Sequence, residues 1–145
     1  MADIKKTPII FWVTAGISLL WNAMGCYNWF LEYNYFKNPA SRVALPEDMR
    51  DIYNYTPEWS YVVFAIAVFT GLVGSILLVM KKKSSVPVFL VSLISVLILQ
   101  VIYLFISGLF NDKGIDTVII PLMVIIFAVF IFFFARAWRD RGLLT

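Results

Sequence analysis

Two carboxamides, Asn22 and Gln100, each stand near the middle of a long uncharged apolar run. A buried primary amide without a partner costs several kcal/mol in hydrocarbon, so each should face protein or water rather than lipid. Thr14, Ser18, Trp21, Gly25 and Trp29 recur around Asn22 at helical spacing and share an arc of about 100° with it. That small, polar face either packs on a neighbouring helix, with Gly25 permitting close approach and Asn22 bonding across the interface, or lines a ligand cavity. Around Gln100, the residues Ser92, Ser95, Tyr103 and Ser107 fall within about 140°, and Leu93, Ile94, Leu97, Ile98 and Val101 cover most of the remainder. Asn22 and Gln100 are the natural pair. Ser18, Trp21, Asn22, Gln100 and Tyr103 are the candidate polar interior or solute contacts.

Little other chemistry can be built. The chain has no histidine and a single cysteine, Cys26, which reads as packing. Haem ligation by His, zinc sites and Ser-His or Cys-His catalysis are out of reach of this chain alone, and no intramolecular disulfide can form. No Asp, Glu, Lys or Arg interrupts the apolar runs before Arg136, whereas proton relays, voltage sensors and intramembrane proteases need such groups. Asp112 and Asp116 read as caps for the helix that follows them. No catalytic residue, cofactor or metal is expected.

The elements that must position these residues follow from composition. Of 145 residues, 61% are apolar and only 14% charged, where a soluble domain carries about 25% charged residues. Uncharged stretches run over 8–31, 59–80, 86–110 and 117–138, the last broken only at Arg136. Each exceeds the roughly 20 residues that cross a bilayer as a helix, and none shows the alternation of barrel strands. The expected fold is an all-α membrane protein, a single bundle of four transmembrane helices over 1–145. The first apolar run is longer than a signal-peptide core and no small-residue cleavage site follows it, so it should remain as an anchor.

Lysines and arginines set the orientation. Alternation of four spans gathers Lys5, Lys6, Lys81, Lys82, Lys83, Arg136, Arg139 and Arg141 at one end, eight of the twelve cations. Lys37, Arg42, Arg50 and Lys113 lie at the other end with seven of the nine acids. The positive-inside rule then puts both termini in the cytoplasm. The net charge of +3 reflects this topology and does not point to nucleic acid. The long outer segment 32–58 should carry structure, because Pro46-Glu47-Asp48 resembles a helix start. Residues 46–54, with Met49, Ile52 and Tyr53 on one face and Asp48 and Asp51 opposite, read as a short amphipathic helix on the outer membrane surface.

Packing signals differ between spans. Ala67, Gly71 and Ser75 recur every four residues with Gly74 beside them, a small-residue stripe for close approach within the bundle or between protomers. The last span is bulky all round (Ile125, Ile126, Phe127, Phe130, Phe132, Phe133, Phe134), so it should be the most lipid-exposed helix or a docking surface. Six of seven tyrosines, together with Trp29 and Trp59, cluster at the outer ends of the first two spans. An interfacial aromatic belt explains them, and aromatic platforms for a sugar ring are the alternative.

Phe11-Trp12-Val13, Leu20-Trp21-Asn22-Ala23-Met24-Gly25, Pro57-Glu58-Trp59, the stretches 71–78 and 86–93, and the tail 139–144 carry a resemblance. Together they resemble a family of small four-helix bacterial inner-membrane proteins, often labelled sugar transporters. The Trp-Asn-x-x-Gly element is its most specific part. Many relatives in that family carry Tyr-Asp where this chain has Tyr27-Asn28. The resemblance implies a fold and a bacterial inner-membrane location, and supplies no catalytic or binding residue. The expected function is that of a non-enzymatic accessory or interaction subunit, meeting the lipid bilayer and another membrane protein or copies of itself. A small oligomeric transporter of a neutral, sugar-like solute is the alternative.

Overall fold

The computed structural model describes residues 6–106 and 116–145. They form α1 (Ile9–Lys37), a 3-10 turn (Pro39–Arg42), α2 (Glu47–Tyr55), α3 (Glu58–Val79), α4 (Ser85–Ile106) and α5 (Asp116–Asp140). No strand occurs among the described residues. Four of the five α-helices, α1, α3, α4 and α5, are long and apolar enough to cross a membrane, with mean hydropathies of 1.6, 2.7, 2.5 and 3.2. The architecture is that of a multi-pass helical bundle. Expected positions 107–110 of the third span, including Ser107, lie outside the described residues, as does Asp112.

The first span was expected to stop at Leu31, yet α1 runs on to Lys37. Glu32 ends the uncharged run, but charge marks the edge of hydrocarbon and does not break a helix. No Gly or Pro intervenes before Pro39. The added turn and a half is held by aromatic contacts: Trp29 stacks on Tyr33 at 5.2 Å, and Phe36 lies 4.5 Å from Tyr61 on α3. Arg42 then closes the helix end, donating from Nε to the Tyr35 carbonyl at 2.5 Å and from Nη2 to the Phe36 carbonyl. These are two of the carbonyls that a helix C-terminus leaves without partners.

In the segment between α1 and α3, the Pro46 carbonyl accepts from the amides of Met49 and Arg50 and opens α2 one residue later than expected. Tyr53 turns inward and is buried, its hydroxyl donating to Glu32 Oε2 at 2.7 Å. Lys37 meets Glu58 at 2.8 Å, an exposed pair that ties the end of α1 to the start of α3.

At the opposite end, both α3 and α5 stop with the same backbone device. The amides of Lys82 and Gly142 bond back to Leu77 and Arg139, and those of Lys81 and Leu143 to Leu78 and Trp138. The pivot residue of each turn has positive φ, 75° at Gly142 and 56° at Lys81. The tail then folds back. Thr145 donates to the Lys81 carbonyl at 2.7 Å and accepts from the Lys83 amide at 3.0 Å, which buries Leu144 against Phe11, Leu78, Val86, Phe89, Ile131 and Ala135.

Tight packing runs in the order α1, α3, α4, α5. Across the remaining seam α5 touches α1 through rings, Phe11 with Phe134 at 6.2 Å and Trp138 at 5.7 Å, and Trp21 with Phe127 at 4.8 Å. These props leave space between the two backbones.

Candidate functional site

The polar face of α1 meets the small-residue stripe of α3. Ser75 is fully buried; its hydroxyl donates to the Gly71 carbonyl at 2.8 Å, so its oxygen is left to accept. Ser18, also fully buried, supplies the proton of the 2.7 Å bond between the two hydroxyls. Asn22 Nδ2 gives one proton to Ser75 Oγ at 3.2 Å and the other to the Ser18 carbonyl at 2.9 Å. Every donor of this triad has an acceptor. Asn22 Oδ1 sits over Gly71, 2.0 Å from where a Cβ would be, and Ser92 Oγ of α4 lies 3.1 Å from the same point. Ser92 donates to the Ala67 carbonyl at 2.7 Å, bringing α4 into the arrangement. Three helices are thus latched around one glycine.

The rest of the stripe is used in the same way. Phe89 of α4 lies on Gly74, 2.9 Å from a notional Cβ, and Val68 lies 3.1 Å from that of Gly25. Ala67 is 2% exposed. The stripe therefore serves contacts inside the chain. Cys26 is buried and its thiol points to the Val68 carbonyl at 3.5 Å, as a packing residue.

The expected pairing of Asn22 with Gln100 is corrected. Asn22 spends both amide protons on Ser18 and Ser75, and Gln100 lies eight residues beyond Ser92 along α4, about 12 Å away at 1.5 Å per residue. Antiparallel register decides this. Ser75 of α3 falls level with Asn22, whereas Gln100 rises with α4 toward the end of the bundle that carries α2. Gln100 and Tyr103 are both partly buried there, apart from Ser18, Trp21 and Asn22.

Above the latch lies a cavity of about 260 Å³ among all four long helices. Trp21, Asn22, Asn28 and Ser92 contribute its polar edges, while Phe64, Phe89, Val124 and Phe127 are among the apolar walls. No charged residue lines it, so its chemistry would suit a mostly apolar or neutral guest. Asn28 was not singled out as a site residue by its sequence. Its position two turns and less from Trp21 and Gly25 on the same helix was the available signal.

At the α2 end of the bundle, burial and the hydrogen bond to Glu32 push the Tyr53 phenol up from its ordinary pKa. Tyr35 lies 5.9 Å from the Tyr53 ring and the Arg42 guanidinium 5.5 Å, so this aromatic group is an internal fastening.

No protein-family model matches the chain, and no curated protein or solved structure matches it either.

Proposed function

We propose that the chain is a non-enzymatic, multi-pass protein of the bacterial inner membrane that works as an interaction subunit, docking another membrane protein on α5. The observation that carries this reading is the division of labour among the helices. The stripe of α3, which could have served assembly, is spent inside the chain, whereas among the described residues α5 is the most apolar span, with a mean hydropathy of 3.2, and has the smallest share of buried residues, 17% of its most apolar stretch. Ile126, Phe130 and Phe133 are each more than half exposed along it. Both termini lie in the cytoplasm on this reading, and α2 rests on the outer membrane surface.

A second reading, an oligomeric carrier of a neutral solute, is favoured by the cavity beside Asn22, Asn28 and Ser92. The latch of Ser18, Asn22 and Ser75 and the Phe89 ring on Gly74 stand between that cavity and the basic end, which argues against a path through one chain.

Photo-crosslinking tests the proposal. A photoreactive residue at Phe130 on α5 should yield an adduct with a different protein, and one at Val62, on the exposed face of α3, should not. Adducts from Val62 alone, or adducts from Phe130 only with copies of this chain, would overturn docking on α5 and favour the oligomeric carrier.

A further inference from the structure

The start of α1 and the end of α5 meet at the basic end of the bundle around a groove of about 400 Å³, lined by Lys6, Pro8, Trp138, Arg141 and Leu143. The Arg141 guanidinium lies 4.9 Å from the centre of the Trp138 ring, a cation–π contact that holds it at the groove. Asp140 is the acid described at this end, and it is occupied by Arg139 at 2.9 Å and Arg136 at 3.9 Å. Lys6 and Arg141 therefore face one groove without a carboxylate between them among the described residues. Two like charges lining one groove favour an anion between them. The first turn of α1, which begins at the Pro8 wall, has neither an acid nor a side-chain cap, adding to the positive potential.

We propose that this groove seats the phosphate of an anionic phospholipid from the adjoining leaflet, with Lys6 and Arg141 as its counter-charges. The apolar walls decide between a lipid and a free phosphate. Pro8, Leu143 and the indole of Trp138 offer nothing to a small hydrated anion, whereas a glycerol backbone and the head of an acyl chain bury against them. Ile9 and Ile10, 81% and 60% exposed, continue the apolar surface from the groove toward the hydrocarbon. An indole at headgroup level is the usual interfacial neighbour of such a site. The assignment rests on the membrane reading of the four helices and not on docking at α5.

Native mass spectrometry of the chain in mild detergent, titrated with phosphatidylglycerol, phosphatidylcholine or inorganic phosphate, tests it. Phosphatidylglycerol should be retained in preference to phosphatidylcholine. Lys6→Gln with Arg141→Gln should weaken that retention roughly 30-fold, about fivefold for each charge. Lys82→Gln with Lys83→Gln removes the same charge at the same end, away from the groove lining, and should leave most of the retention in place. Equal losses in the two double variants would reduce the effect to diffuse charge and overturn the site. Displacement of phosphatidylglycerol by millimolar inorganic phosphate would assign the groove to a soluble anion instead. A chain that does not insert into vesicles would contradict the membrane reading itself, whereas normal insertion with equal retention of both lipids would contradict the groove alone.

Discussion

At the scale of single residues, the interior is governed by proton bookkeeping. Ser75 has one proton to give and receives two, and the geometry uses each. Replacing Ser75 with Ala strands Ser18 and one Asn22 proton, so it should cost more than the bonds alone contribute. Hydrogen bonds between membrane helices average about 0.6 kcal/mol and reach 1–2. A double-mutant cycle of Asn22→Leu and Ser75→Ala, read by thermal unfolding in detergent, should therefore give a coupling of about 0.6–1.5 kcal/mol. The same cycle between Asn22→Leu and Gln100→Leu should give a coupling near zero, and the reverse ranking would restore the pairing expected from sequence. Residue types made the polar faces legible: Ser18, Trp21 and Asn22 do lie together. Their partners were not, because pairing depends on how far one antiparallel helix slides along another, and no single residue encodes that.

At the scale of elements, close approach and end fastening matter most. A Cβ on Gly71 would stand 2.0 Å from Asn22 Oδ1 and 3.1 Å from Ser92 Oγ. Gly71→Leu should therefore break the α1, α3 and α4 contact, whereas Leu72→Gly, at a position only partly buried, should cost much less. Equal thermal stability of the two variants would contradict the latch. Between α2 and α1, the Tyr53 phenol is neutral when it donates to Glu32, and its folded pKa is raised above the unfolded value of about 10. The stabilisation it provides is full below about pH 10 and is lost as pH rises through the folded pKa. The wild type should lose more stability than Tyr53→Phe when melting is compared on the two sides of that range; parallel losses would detach the phenol from the fold. Hydropathy made the four long helices legible. It placed the end of α1 early because Glu32 is charged, and it could not show that Arg42 would return to cap Tyr35 and Phe36.

At the scale of the whole molecule, charge and hydrocarbon divide the chain. Basic groups gather where α1 starts and α3 and α5 end, most acids gather at the other end, and between them Ser18, Asn22 and Ser92 each bond across to α3. The basic census was legible at once, since it needs only the alternation of spans. The groove between Lys6 and Arg141 was not, because the two lie 135 positions apart in sequence and meet only when α5 comes back beside α1. The account depends on four crossings that leave the basic end in the cytoplasm, and reporter fusions measure this most directly. Fusions after Lys83 and after Thr145 should both read cytoplasmic while one after Arg50 reads external; a cytoplasmic signal at Arg50 would contradict the four-span arrangement.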